Sequence, residues 1–592
     1  MNKKRFMKII GTFFSIKKIN FFLIILSTIS ILLGVLYVII PIYSILWDIL
    51  GVIYLINLTL SIIFLYLTGR KLNKRSLLGN RINIMIYCYF ISIIISMFAM
   101  MFGNIAIAFN YKIGYIENIG AFLAVWIGFF GVLIFEIVNS AMILRNSSNK
   151  TVWNQSKVSD KLDSIRSGKS KKILKPILQL IVLFLLLIIA YCSFVVLFQR
   201  TRLFLTIVTG MYIPEVALYI AFISLGVTAI FLKTIDNKRH KVIFYTITII
   251  GLILSGICFM PSAMVPSTIY NAENEFVNVF GSNSYEEVDK YFLGTPFSLP
   301  QYFLGIPPIE CKVIENRTYF IGSESSEEID ENITLCFDAY MPLNNGKDNE
   351  GNMLPGKNST LIRIHGGGWQ RFDKGFSNFI RMNRYFAAQG YIVFDIQYGL
   401  RYSKDGSKYN SHTPDYVFAN FTLADMVRHI GNFTKYLAIH HAEYGANLNS
   451  TFISGGSAGG HLACVTALGI TNETLISTFG SALTIKGLIP YYPGNHEDKA
   501  SWFEIGGPIY INNPEHLVGV NSPPCLIYHG IEDNIISKEI SQSLKDTYNN
   551  NGKENCAVIY FPLAGHANDM YFNSYLNLIF LYYMERFMYL HQ

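Results

Sequence analysis

The chain has 592 residues, of which 51% are hydrophobic and only 15% charged, with a formal net charge of +8. That length exceeds one compact domain, and a soluble globular protein carries about 25% charged residues, so a wholly soluble chain is excluded. The positive charge does not indicate nucleic-acid binding, because the Lys and Arg of the first 241 residues cluster between apolar runs, the pattern by which a membrane protein sets its orientation.

Seven apolar runs of about 20 residues, the length a bilayer core requires, open the chain at 21–41, 49–69, 82–102, 119–144, 177–198, 211–232 and 242–262. The sixth is the weakest, since Pro214 and Glu215 interrupt its start. The intervening segments alternate in charge. Lys3, Lys4, Arg5, Lys8, Lys17 and Lys18 precede the first run; Arg70, Lys71, Lys74, Arg75 and Arg81 follow the second. Nine basic residues lie in 145–176, and Lys233, Lys238, Arg239 and Lys241 precede the seventh run. The alternate loops hold only Lys112, Arg200 and Arg202. The basic side is read as cytoplasmic, so everything after Pro261 is expected outside, in a bacterial plasma membrane. Glu136 lies inside the fourth run near Asn139 and Ser140. An intramembrane carboxylate marks a functional candidate, but a single one without a relay of acids or histidines is expected to pair with a polar neighbour or reach the cytoplasmic interface.

From about 263 the pattern changes. Residues 1–262 read as a membrane domain, 263–334 as a connecting extension and 335–592 as an α/β domain, a mostly parallel sheet with helices on both faces. Strands are predicted at 335–341, 359–364, 391–397, 450–454, 485–491, 524–529 and 555–562, and helices at 376–389, 417–444, 458–469, 537–549 and 567–588. The eight cysteines form no C-x-x-C pair, so no zinc or thioredoxin-type site is signalled. Cys464, Cys525 and Cys556 read as buried hydrophobes, and a Cys311–Cys336 bridge is allowed but not required by spacing.

Gly455-Gly456-Ser457-Ala458-Gly459 follows the apolar strand Thr451-Phe452-Ile453 and precedes a helix-like run. That is the strand–turn–helix setting of a G-x-S-x-G nucleophile elbow, a turn so tight that small residues must flank the Ser. His365-Gly366-Gly367-Gly368-Trp369 comes directly after the strand Leu361–Ile364. Three glycines let such a loop turn its N–H groups toward one point, an oxyanion, and the Ala458 N–H completes the set. A serine hydroxyl needs a base, and the base an orienting carboxylate, in the chain order Ser, acid, His on this fold. Asp533 follows the strand Pro524–Tyr528, and His566 follows the strand Val558–Phe561. Glu532 is the less favoured acid by its place in the motif. Asp569 is expected to cap the next helix, and His365, His461 and His529 to serve as local hydrogen-bonding residues. Two inserted regions, 399–416 and 492–520 (with Trp502, Phe503 and Tyr510), are candidates for shaping a substrate site or, equally, packed surface loops.

The stretch from about 335 to 590 resembles the alpha/beta-hydrolase esterases of the hormone-sensitive-lipase and feruloyl/acetyl-esterase (BD-FAE-like) type. The segments that carry the resemblance are FDAYMPL, LIRIHGGGW, AAQGYIVFDIQYGL, EYGANLNSTFISGGSAGGHLA, CLIYHGIEDNIIS and FPLAGHAND. The resemblance implies carboxylester hydrolysis through an acyl-enzyme, with no metal and no organic cofactor; together with the outward location it leads to the expectation of a small-molecule or glycan acyl ester, short and acetyl-like, as substrate. It also implies that Gly367 and Gly368 donate to the oxyanion. Two departures concern loop shape: Tyr398-Gly399-Leu400-Arg401 replaces the family's Y-R-L-A-P, and Asn447 stands where Asp is common. The first 262 residues lie outside the resemblance. The alternatives left open are an amidase or peptidase on the same triad, a non-catalytic sensor or binding domain, and acyl transfer served by the membrane helices.

Overall fold

The computed structural model describes residues 15–592 apart from 41–43, 110–117, 154–168, 202, 237–238, 283–284, 286, 308, 377–378, 403–412 and 496–506. Lys3, Lys4, Arg5, Lys8, Lys112, Arg202, Lys238, residues 154–168 of the basic 145–176 segment, Trp502 and Phe503 therefore lie outside the described residues.

Among the described residues, seven helices are long and apolar enough to cross a membrane. They are α1 (Ile16–Ile39), α2 (Ile45–Lys71), α3 (Leu77–Phe109), α4 (Ile119–Arg145), α5 (Lys169–Leu197), then, after the short α6 (Phe204–Gly210), α7 (Ile213–Thr234) and α8 (Lys241–Ala263). The proline and acid that weakened the sixth run fall in the first turn of α7, where Pro is tolerated because its missing N–H is one of the unpaired helix-start donors anyway. Glu136 on α4 is fully buried, accepting from Asn57 Nδ2 at 3.0 Å and from the Ser61 hydroxyl. Asn57 also donates to Ser27 Oγ at 2.9 Å, so three helices share one polar knot. This is the pairing with polar neighbours expected of a lone membrane carboxylate.

Helix continues past the predicted end of the seventh span as α9 (Val265–Phe280). A short helix, α10 (Leu299–Leu304), then dips back between the span ends. Tyr302 stacks on Tyr219 with ring centroids 4.8 Å apart and donates to the Glu215 carbonyl at 3.0 Å. Asn104 Nδ2 donates to the Phe303 carbonyl at 3.0 Å, and Tyr37 to the Gly305 carbonyl at 2.9 Å. The contacting ends of α1, α3 and α7 are those away from Lys71, Arg145 and Lys233.

The C-terminal half is built on an eight-stranded sheet among the described residues: β1 (Lys312–Ile321), β2 (Thr334–Met341), β3 (Ser359–Ile364), β4 (Ile392–Ile396), β5 (Asn447–Gly456), β6 (Ile485–Tyr491), β7 (Cys525–Gly530) and β8 (Cys556–Phe561). The order is β1-β2-β4-β3-β5-β6-β7-β8. Pairings from β4 to β8 are parallel, and β1 and β2 are antiparallel additions. Helices α11 (Phe379–Ala388), α12 (Leu423–Tyr444), α13 (Ala458–Thr471), α14 (Lys538–Asn550) and α15 (Tyr575–His591) cover the faces, the α/β-hydrolase architecture that strands alternating with helices predict.

The edge strand β8 is covered by α9. Glu275 accepts from the Val558 N–H at 2.9 Å and pairs with Lys545 at 2.5 Å. An otherwise open edge N–H is thereby satisfied.

Three sequence expectations are corrected. Strand β1 is not foreseen by the sequence reading; its residues are exposed or half-buried in no regular order, with Tyr319 alone buried, so the period-2 signal is blurred. Helix α12 starts at Leu423, not 417, because Phe418–Ala419 pairs with Leu400–Arg401 and Thr422 forms a capping box with Asp425. Helix α15 starts at Tyr575, not 567, with Ser574 as its N-cap, so Asp569 does not cap it. All eight cysteines are free thiols, Cys311 and Cys336 included.

Candidate active site

Strand β5 is fully buried from Thr451 to Gly456, and α13 leaves it at once. The connection is a single residue, Ser457, with φ 56° and ψ −120°, a backbone conformation that costs a non-glycine residue about 1–3 kcal/mol and persists only where the surroundings impose it. The surroundings are backbone. A Cβ on Gly455 would lie 2.4 Å from the Gly459 carbonyl oxygen, and one on Gly459 would lie 2.1 Å from that of Ile364. Ser457 N–H donates to the Tyr491 carbonyl at 2.9 Å. The side chain is thus lifted off the sheet and remains half-buried rather than sealed.

The His365–Trp369 turn lies against this elbow. A Cβ on Gly366 would meet the Gly456 carbonyl at 2.6 Å and Ser457 Cβ at 3.4 Å. Gly367 and Gly368 have φ of +120° and +61°, values that suit glycine. Ala458 opens α13, so its N–H belongs to the first turn, where intrahelical acceptors are lacking. Tyr398, from the segment that departs from the family pattern, stacks on His365 at 4.5 Å and donates to its carbonyl at 2.9 Å.

The loops after β7 and β8 bring the remaining residues to Ser457. His566 Nε2 is 3.0 Å from Ser457 Oγ, and His566 Nδ1 is 2.8 Å from Asp533 Oδ2. A carboxylate can only accept, so Nδ1 carries the proton and Nε2 is free to accept from the serine hydroxyl. Asp533 is shielded from solvent, and its Oδ1 accepts the N–H groups of Ile535 at 2.9 Å and Ile536 at 2.8 Å. Burial alone would raise its pKa, but the His566 ring, His529 and these donors together hold the carboxyl below its usual range. Such an array can draw a proton from a hydroxyl and stabilise the imidazolium that results.

Neighbouring candidates have other partners. Glu532 pairs with Arg200 at 2.7 Å. His529 contacts Ser541 Oγ at 2.6 Å and the Ile536 carbonyl at 3.1 Å, and burial depresses its pKa. His461 donates to the Ile511 carbonyl at 2.8 Å, and burial pushes its pKa down to about 4. His365 lies 2.9 Å from the Gly366 carbonyl and is likewise pushed down to about 4. Asp569 accepts from Tyr492 at 2.5 Å, and the Tyr492 ring packs 4.6 Å from that of His566.

Sequence reasoning missed one group of residues around the site: Gln199, Arg200 and Glu215, which reach it from the membrane half. Gln199 Nε2 donates to the Leu563 carbonyl at 2.7 Å, and Arg200 donates to that of Ile531 at 3.1 Å. Glu215 accepts the Tyr571 N–H at 2.8 Å. The only trace in the sequence was negative: polar residues at the margins of apolar runs.

Residues 351–488 match the BD-FAE family model. Esterase LipQ of Mycobacterium tuberculosis (strain ATCC 25618 / H37Rv) is 25% identical over 238 residues, 37% of this chain and 52% of that protein. The chain thus spans about half the length of the curated relative it matches. Among solved structures, the apo form of Thermogutta terrifontis esterase 2 is 21% identical with a TM-score of 0.33, covering 46% of this chain and 91% of that one. The same esterase phosphorylated by paraoxon is 22% identical with a TM-score of 0.32, covering 43% and 84%. The BD-FAE match lies within the C-terminal α/β-hydrolase half and takes in the His365–Trp369 turn and Ser457.

Proposed function

We propose that this BD-FAE-type domain is a serine carboxylesterase held in a membrane by the seven apolar helices, hydrolysing short acyl esters through an acyl-enzyme. The observation that carries this reading is the unbroken hydrogen-bonded line Ser457–His566–Asp533 at the C-terminal ends of β5, β7 and β8.

In this reading Ser457 Oγ attacks the ester carbonyl carbon as its proton passes to His566 Nε2, and Asp533 stabilises the imidazolium. The carbonyl oxygen becomes an oxyanion, which the Gly367, Gly368 and Ala458 N–H groups receive. The carbon–alkoxy bond then breaks, the imidazolium gives its proton to the departing alcohol, and the acyl group stays on Ser457. Water, deprotonated by the same imidazole, attacks the acyl-enzyme; the acid leaves and Ser457 recovers its proton. The net reaction is ester plus water to acid plus alcohol.

The Lys and Arg bias toward alternate loops supports an extracytoplasmic position for the domain on a bacterial plasma membrane. The packing of the domain at the helix ends away from Lys71, Arg145 and Lys233 agrees with that orientation. An acetyl-like ester on an envelope or extracellular glycan is the substrate class this location favours. The test is fluorophosphonate labelling of intact cells, wild type against Ser457→Ala, with turnover of p-nitrophenyl acetate and acetyl p-nitroanilide by the purified full-length chain. Labelling of intact wild-type cells only, with ester turnover exceeding anilide turnover, is expected. Labelling only after permeabilisation would overturn the orientation, and faster anilide turnover would overturn the ester preference.

A further inference from the structure

We infer that the connection between the fifth and sixth membrane spans, through Gln199, Arg200, Thr201 and Gly210, positions the acid and base loops of the Ser457 site, so that the membrane helices complete the catalytic apparatus as well as holding it. This rests on the reading of Ser457, His566 and Asp533 given above.

Gln199 is the centre of the argument. It is 2% exposed and bonds both loops at once. Its side-chain amide donates to the Leu563 carbonyl at 2.7 Å, three residues before the base, while its own carbonyl accepts from Asn534 Nδ2 at 2.6 Å, one residue after the acid. It also packs on Gly565, where a Cβ would come within 2.3 Å of Gln199 Oε1. The residues on either side extend the clamp. Thr201 offers its carbonyl to Asn534 at 3.3 Å, and Arg200 holds Glu532 and the Ile531 carbonyl. On the far side of His566, the fully buried Asn568 donates to the Gly210 carbonyl at 2.7 Å and accepts the Gly565 N–H.

These bonds therefore fall on both sides of Asp533 and both sides of His566. The Ser457 elbow needs no such support, because strands β3, β5 and β6 enclose it. What the span-joining turn fixes is where the imidazole stands relative to the hydroxyl. That quantity matters in the transition state more than in substrate binding, and a misplacement of about 1 Å costs roughly 100-fold in rate.

The experiment uses the full-length protein in detergent or nanodiscs. Active sites are titrated with a fluorophosphonate, and kcat and KM for p-nitrophenyl acetate are expressed per titrated site. Gln199→Ala is expected to lower kcat by roughly 10- to 100-fold with KM nearly unchanged. Asn534→Ala, which removes the separate link from the acid loop to the Gln199 and Thr201 carbonyls, is expected to show the same split. Arg200→Ala, at a side chain 62% exposed, gives a smaller drop. Lys545→Ala, at the α9 contact remote from both loops, leaves kcat per site unchanged. A fall in titratable sites alone, with wild-type kcat per site in both Gln199→Ala and Asn534→Ala, would overturn the inference and leave a purely structural contact. Ser457→Ala is the separate arm: if it retained turnover, the reading of the site itself would fall, and the inference with it.

Discussion

Ser457 and His566 stand 3.0 Å apart, yet the two are held by different means. Ser457 is fixed from within its own sheet, by glycine-lined backbone contacts to residues of β3 and β6. His566 and Asp533 ride on loops whose outer surfaces are bonded to the connection between two membrane spans. One side of the site is thus set by steric exclusion over a few neighbouring residues, and the other by hydrogen bonds between residues more than 300 positions apart. Local steric constraint leaves a mark in the sequence; support from afar leaves almost none.

The sharpest way to test the first side is Ser457→Ala, which removes the hydroxyl without disturbing the turn. It should lower kcat by roughly five orders of magnitude or more with no loss of thermal stability, read by esterase assay and a melting curve. Asp533→Asn tests the second side. An amide in place of the carboxylate presents a donor to Nδ1 and favours the wrong tautomer, for an expected loss on the order of 10⁴-fold in kcat with KM little changed. Gly459→Ala sets a new methyl against two carbonyls, of Ile364 at 2.1 Å and His365 at 2.5 Å, neither of which is a flexible side chain. A cost of about 4 kcal/mol is expected, read by denaturation, with loss of fluorophosphonate labelling in what remains folded. Glu215→Ala strips the acceptor from the buried Tyr571 N–H and should cost about 1–3 kcal/mol while leaving the elbow intact. If Glu215→Ala instead left stability unchanged, the support of the 567–574 segment from the membrane half would be wrong.

The smallest effect concerns Asp395 on β4, which steadies the segment after the His365–Trp369 turn by accepting the Gly375 N–H at 2.8 Å and Asn383 Nδ2 at 2.9 Å. Burial first, and Asp338 second, push its pKa up to about 7. A folded pKa above the unfolded value of about 3.9 means that folding favours the protonated form, so this contribution to stability is complete below about pH 4 and is lost as pH rises toward 7. Asp395→Asn should flatten that slope in melting temperature against pH, leaving the slope from other groups.

The same contrast explains what could be read before the structure. The elbow, the glycine turn and the strands that precede them follow from rules acting over five to ten residues, and the span lengths follow from bilayer thickness. Helix α15 begins later than the sequence pattern suggests because in the fold Asn568, Tyr571 and Ser574 are engaged by the membrane half. Asp569 falls before that helix and instead meets Tyr492. Strand β1 was missed because it is an edge strand with one face in solvent and an irregular register against β2. Glu215 reads in sequence as a flaw in an apolar run, and its partners lie 356 and 359 positions away.

The aromatic seam around α10 has a practical consequence for anyone who would handle the hydrolase by itself. Tyr302 and Phe303 are fully enclosed by Tyr54 and Tyr219 from the spans, and Tyr571 from the base loop meets Tyr219 through their hydroxyls at 3.2 Å. Cutting the chain at residue 263 would bare that seam to water as one contiguous greasy surface, the kind that drives clumping in solution. A soluble fragment of this protein is therefore a redesign problem: polar replacements at Tyr302, Phe303 and Tyr571, and a surrogate brace for the two loops, would have to accompany the truncation.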